Sequence, residues 1–94
     1  MPSRTAVIAS AVGLHARPAG LFVGLAGQAA QAGAVVTIGR PGEEPVNAAS
    51  ILSVLGLGAR HGETVELTVD GDGAEQVLDQ LVAELAVDRD AEGS

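Results

Sequence analysis

The chain has 94 residues with a hydrophobic share of 47%, and this length predicts a single domain, residues 1–94, with little room for a second. Its formal net charge is −7, and its basic residues are five scattered arginines without any lysine, a pattern that disfavours nucleic acid or an anionic membrane surface as a partner. The absence of cysteine excludes a disulfide framework and thiolate ligands for a metal ion.

The N-terminal segment predicts a strand over Thr5–Ser10, because it is rich in β-branched and apolar residues. The apolar run after Arg4 is short and β-branched, which disfavours a signal peptide, and no stretch reaches the ~18 apolar residues of a membrane span. We therefore expect a cytoplasmic protein without a membrane partner.

Residues 16–31 predict the first helix, because apolar residues recur there at three- and four-residue spacing. Pro18 is compatible with the first turn, where amide groups have no partner inside the helix. Gly33 is well placed to end the helix. The apolar positions of this helix are Phe22, Leu25, Ala26 and Ala29.

The middle of the chain predicts two strands joined by a turn. Residues 34–38 are uniformly apolar and β-branched, residues 39–45 contain two prolines and two glycines, and residues 46–47 return as a short strand. Because Pro45 cannot donate a ladder hydrogen bond, the short strand is expected at an edge of the sheet.

The remaining segments predict a helix, a strand and a helix. The short helix spans residues 48–55, with Ser50 at or near its start, and the alternating strand spans residues 64–69. The last helix spans residues 74–87 and is followed by an acidic tail at 88–94. Its apolar face consists of Val77, Leu78, Leu81, Val82 and Leu85.

This β-α-β-β-α-β-α order predicts an α+β fold. We expect an open-faced sandwich, in which a four-stranded antiparallel sheet is covered on one face by three helices.

The segment from Gly13 to Gly20 combines residues that suit an anion. His15 and Arg17 lie two residues apart, just before the proline of the predicted first helix. A helix N-terminus offers unpaired amides and partial positive charge, and it favours the neutral, nucleophilic form of an imidazole. In isolation the motif favours the simpler interpretation, a helix-capping histidine beside a solvated arginine.

The segment Gly13-Leu14-His15-Ala16-Arg17-Pro18-Ala19 resembles the active-site segment of HPr, the histidine-containing phosphocarrier family of the bacterial phosphoenolpyruvate:sugar phosphotransferase system. A second segment, residues 46–58, is similar to the family's short strand, short helix opened by a serine, and Leu-Gly turn. The resemblance covers residues 5–87 and implies the same sandwich fold.

The resemblance implies that His15 takes a phosphoryl group from phospho-enzyme I, on the Nδ1 atom used in the family, and passes it to sugar-specific IIA proteins. Arg17 would stabilise the phosphoryl group. A carrier of this kind needs no cofactor or metal ion, catalyses no turnover by itself, and is expected to be a monomer.

Ser50 corresponds to the regulatory serine of the family, which an ATP-dependent kinase phosphorylates in many Gram-positive bacteria. Ala49 stands where the family often has lysine, so recognition by a serine kinase is in doubt. The alternative is that Ser50 is a plain N-cap residue.

The resemblance also implies a partner-binding surface on the first two helices. A two-turn helix cannot bury all of its leucines and isoleucines. The first helix contains Gly20, Gly24 and Gly27, and homologues often carry lysines at the second and third of these positions. We interpret the glycines as allowing close, uncharged approach of a partner; compositional drift is the alternative. The expected contact residues are Gly20, Leu21, Gly24, Gly27, Ile51, Leu52 and Leu55.

Two further patterns have simpler interpretations. His61 is expected to be an exposed loop residue, because only Glu63 is near it as a second metal ligand. Residues 70–73 are interpreted as a turn and helix cap rather than a calcium loop. The alternative functions are an acylphosphatase-like enzyme, for which Asn47 is a poor water-positioning residue, and a small ligand-binding regulatory domain.

Overall fold

The computed structural model describes residues 2–9 and 16–86, with the side chains of 16–18 outside the description. The described chain contains the predicted order of elements. These are β1 (Ser3–Val7), α1 (Ala16–Gln31), β2 (Val35–Gly39), β3 (Val46–Asn47), α2 (Ile51–Gly56), β4 (Thr64–Asp70) and α3 (Ala74–Leu85). The predicted acidic tail, 88–94, and position 87 of the predicted last helix lie outside the described residues.

The four strands form one antiparallel sheet in the order β1-β4-β2-β3. In the central strand β4, Val65, Leu67 and Val69 are fully buried, whereas Glu66 and the strand ends are exposed. The helices pack on the buried side, α3 against β1 and β4, α1 against β2, and α2 against β3. The predicted open-faced sandwich, with helices on one face, is therefore confirmed.

The core between sheet and helices is aliphatic except for Phe22, whose side chain is fully buried. From α3 the core receives Leu78, Leu81 and Leu85, while Val77 and Val82 pack at its edge. The predicted apolar face of the last helix is thus confirmed as the face that packs on the core.

The prediction for the first strand was wrong at both ends. The strand begins two residues earlier than predicted and ends at Val7, which pairs with Thr64. Beyond that pair the ladder becomes irregular, because the carbonyl oxygen of Ile8 accepts from the amide of Gly62 rather than from that of Glu63. The chain then leaves the sheet at Ala9, whose amide donates to the carbonyl oxygen of Leu85 at 3.1 Å, at the end of α3.

The second helix begins three residues later than predicted. The side-chain oxygen of Asn47 accepts a hydrogen bond from the amide of Ala49 at 2.9 Å, which stabilises a turn. Ser50 then has an extended backbone, with φ −106° and ψ 115°, and acts as the N-cap. This local turn competes with helix formation at 48–49.

The first helix has the predicted bounds, and Gly33 ends it as expected. Gly33 has φ 96°, and the amides of Gly33 and Ala34 donate to the carbonyls of Ala30 and Ala29. This hydrogen-bond pair is a Schellman motif, which requires a residue in the left-handed region at the position of Gly33.

The turn between β4 and α3 agrees with the interpretation of residues 70–73 as a turn and helix cap. Gly73 is the N-cap of α3, with φ 73° and no side-chain capping bond.

Candidate functional site

The candidate site lies where β1 leads into α1. His15 lies outside the described residues, as does the side chain of Arg17, so their assignments stay predictions. The described chain fixes both sides of this segment: Ala9 is hydrogen bonded to the end of α3, and α1 begins at Ala16. The predicted histidine therefore directly precedes a helix N-terminus.

The first turn of α1 is electrostatically suited to an anion. It contains no acidic residue that would compete for the unpaired amides. Ala19 is fully buried in the core, so packing holds this turn in place. A phosphoryl group at the start of this helix would meet amide donors and the positive end of the helix dipole.

Backbone hydrogen bonds hold the chain that precedes the site. The amide of Ile8 donates to the carbonyl oxygen of Glu63, and the amide of Gly62 donates to the carbonyl oxygen of Ile8, both at 2.9 Å. The side chain of Ile8 is almost completely buried. The site segment therefore departs from a fixed part of the sheet.

An ion pair between Arg40 and Glu63 stabilises the same end of the sheet. Arg40 Nε donates to Glu63 Oε2 at 2.7 Å, and the amide of Arg60 donates to Glu63 Oε1 at 3.0 Å. The Arg40 guanidinium, and then the Arg60 amide, lower the pKa of the Glu63 carboxyl below its ordinary value of 4.5. Sequence reasoning missed this pair, because its partners are 23 residues apart and no short-range pattern connects them.

Ser50 is the N-cap of α2, which agrees with the simpler of its two interpretations. Its Oγ accepts a hydrogen bond from the amide of Ser53 at 3.4 Å, and the residue is half-buried. No observation tests its phosphorylation, which stays a prediction. Asn47, considered for the enzyme alternative, uses its side-chain oxygen in the turn that precedes this cap.

The two helices α1 and α2 pack together and leave apolar side chains in solvent. Leu52 is the most exposed of them, at 79%. Large apolar residues usually become buried, so exposed ones near a candidate site indicate a contact surface. We call this set the α1–α2 surface: Gly20, Leu21, Gly24, Gly27, Ile51, Leu52 and Leu55, of which Gly27 is half-buried and the rest are exposed.

The three glycines of α1 are not required by packing within the chain. A Cβ atom at Gly20, Gly24 or Gly27 would meet nothing within 4 Å. They lie away from the buried side chains of Phe22 and Ala26, as their spacing predicted. No contact within the described residues therefore requires glycine at these three positions.

His61 is exposed in the turn before β4, as predicted. Within 2–9 and 16–86, no helix has both the length and the hydropathy needed to cross a bilayer.

Comparison with known proteins identifies the family. Residues 2–86 match the family described as "PTS HPr component phosphorylation site". The chain is 50% identical over 82 residues to the phosphocarrier protein HPr of Streptomyces coelicolor, covering 86% of this chain and 84% of that one.

Solved structures agree with this match. The phosphocarrier protein HPr from Bacillus anthracis superimposes with a TM-score of 0.80 at 32% identity, over 89% of this chain and 95% of that one. An HPr dimer from Thermoanaerobacter tengcongensis has a TM-score of 0.63 at 37% identity, over 76% and 77% of the two chains. The chain belongs to the HPr family, whose members are phosphocarrier proteins of the phosphotransferase system rather than enzymes.

Proposed function

We propose that this protein accepts a phosphoryl group on His15 from phospho-enzyme I and passes it to sugar-specific IIA proteins. The observation that carries the proposal is the position of His15 directly before the N-terminus of α1, in a chain of the phosphocarrier family. The cytoplasm, where such partners would meet it, is the proposed location.

The transfer step forms one bond to phosphorus and breaks another. The unprotonated ring nitrogen of neutral His15 attacks the phosphorus atom, and the donor atom of enzyme I leaves with the electron pair of the broken bond. The proton on the other imidazole nitrogen stays in place. Transfer to a IIA protein reverses these roles, with His15 as the leaving group.

The chain's own groups contribute positioning and electrostatic stabilisation to this step. The first-turn amides of α1 would be available to a phosphoryl group on His15, and Arg17 would supply a second, charged donor. We propose that the protein acts as a monomer, and the dimeric T. tengcongensis structure makes its mass in solution worth measuring.

The test uses the two histidines of the chain. The protein is incubated with radiolabelled phosphoenolpyruvate and enzyme I, and we expect an acid-labile, base-stable phosphate. His15→Ala should abolish the label, whereas His61→Ala, a change in an exposed turn, should retain it.

Label that persists in His15→Ala, or disappears in His61→Ala, would contradict the proposal.

In the same assay Arg17→Ala should slow transfer in both directions while the circular dichroism spectrum stays unchanged. Hydrolysis of acyl phosphates by the protein alone would instead favour the enzyme alternative.

A further inference from the structure

Charge is distributed very unevenly over the elements of this protein. Neither residues 18–39 nor residues 45–59 contain an Asp, Glu, Lys or Arg. These two ranges include all of α1 after Arg17 and all of α2. The α1–α2 surface is thus built from an uncharged part of the chain.

The acidic side chains lie on other elements. Helix α3 carries Glu75, Asp79 and Glu84, and its last turn has no basic residue. Strand β4 carries Glu66 and Asp70. These five carboxylates therefore lie on α3, beside the α1–α2 surface, and on the far side of the sheet, and none of them belongs to the surface.

Two of the arginines are neutralised by ion pairs at other places. Arg4, in β1, pairs with Glu75 at 2.8 Å and also with Asp79, both on α3. Arg40 pairs with Glu63 at 2.7 Å. Neither guanidinium belongs to the α1–α2 surface, so neither supplies it with positive charge.

We propose that the α1–α2 surface binds the phosphoryl-exchanging partner proteins through an apolar, uncharged contact, and that the matching patch on those partners is apolar rather than acidic. The inference rests on the proposed function. Any protein that reaches His15 must approach the start of α1, and Gly24 lies only about 12 Å along the helix axis from Ala16.

The physical argument concerns desolvation. Beyond Arg17, which lies at the start of α1 and is assigned to the phosphoryl group, an acidic partner group placed over this surface would lose hydration without gaining a cation, which is unfavourable. An apolar patch would instead cover Leu52 and its neighbours and remove their side chains from water. The open space around the α1 glycines lets such a patch approach the helix backbone closely.

The consequence is a weak dependence on salt. Long-range attraction between opposite charges accelerates association and is screened by added salt, whereas apolar contact is not. With a net charge of −7 the chain would also repel an acidic partner at a distance.

The first experiment measures the rate of phosphoryl transfer from the cognate phospho-enzyme I as salt rises from about 50 to about 500 mM. We expect the rate to change less than about twofold. A fall of about tenfold or more would overturn the inference, although the label on His15 would still support the proposed function. Absence of the label at all salt concentrations would overturn the proposed function itself.

The second experiment compares two aspartate substitutions at exposed aliphatic residues. Leu52→Asp, in the α1–α2 surface, should slow transfer by about tenfold or more, because it places a charge in an apolar contact. Val35→Asp is the control, since Val35 is 60% exposed and lies on the opposite face of the sheet. Equal rates for the two variants would contradict the proposed surface.

The third experiment separates charge from size at Gly24. Gly24→Lys and Gly24→Gln add side chains of similar length, and only lysine adds positive charge. Both should slow transfer from the cognate enzyme I. Faster transfer with lysine than with glutamine would show an acidic partner patch and overturn the inference. The inference would also be overturned if sedimentation showed a dimer that Leu52→Asp dissociates, because the surface would then bind a second copy of the chain.

Discussion

Gly71 and Gly24 have opposite relations to their surroundings. Gly71 has φ 142°, and a Cβ atom there would lie 2.6 Å from the carbonyl oxygen of Gly33 and 2.7 Å from the Cα atom of Ala34. Its lack of a side chain thus allows the turn before α3 to contact the turn after α1. Gly24 is exposed and has open space around it, so the lack of a side chain there only lowers the stability of the helix itself.

These surroundings predict opposite effects of the same substitution. Gly24→Ala should raise the free energy of unfolding by about 0.5–1 kcal/mol, because alanine favours a helix more than glycine does. Gly71→Ala should lower it by about 1–3 kcal/mol, because the methyl group would collide with backbone atoms in a strained conformation. Urea denaturation followed by circular dichroism measures both values.

If Gly71→Ala were as stable as the unsubstituted protein, the close contact between these two turns would not exist. A loss of stability in Gly24→Ala would show that the glycine has a role inside the folded chain.

At the scale of elements, side-chain contacts decide where the elements begin and how their ends are held. Asn47 and Ser50 together delay the start of α2, and the Arg40–Glu63 pair connects the end of β2 to the turn before β4. Both partners of this pair are 30% exposed, so solvent screens the interaction. Its effect on stability should therefore be modest and dependent on pH.

The sign of this pH dependence follows from the lowered pKa of Glu63. Its stabilising contribution is present above the unfolded-state pKa, about 4.5, and is lost as the pH falls through the lower pKa of the folded state. We therefore expect Glu63→Gln to reduce stability at neutral pH and to show a shallower loss of stability during acidification than the unsubstituted protein.

The measurement is urea denaturation at a series of pH values from neutral to about pH 3. Glu66→Gln, at an exposed position of β4, is the matched control and should retain the steep acid dependence. Identical acid profiles for Glu63→Gln and the unsubstituted protein would show that the ion pair does not contribute.

At the scale of the whole molecule, one core holds the sheet and the three helices together. Phe22 is the chain's single aromatic residue and is fully buried, among aliphatic side chains of every layer. Because close-packed interiors adjust little, the volume of its ring would not be refilled after truncation.

We expect Phe22→Ala to lower the free energy of unfolding by about 3–5 kcal/mol, a large share of the stability of a domain of this size. Leu21→Ala is the control, because Leu21 precedes Phe22 in the same helix but is 43% exposed. That change should remain within about 0.5 kcal/mol. Urea denaturation followed by far-UV circular dichroism measures both free energies of unfolding. Equal losses of stability in the two variants would show that Phe22 does not organise the core.

The sequence alone determined the order of elements, the bounds of α1 and the buried face of α3. These features depend on local periodicity and on stop signals such as Gly33, which act within a few residues. The motif around His15 likewise pointed to the phosphocarrier family without a structure.

Tertiary structure decided what depends on residues distant in the chain. It directed the chain out of the sheet after Ile8 through the bond from Ala9 to Leu85, and it joined Arg40 to Glu63 across 23 residues. It also decided how much of each apolar residue of α2 stays in solvent, since exposure depends on which elements pack against that helix. The local sequence pattern contains no information about these contacts, because the residues are distant in the chain and come together only when the sheet and helices pack.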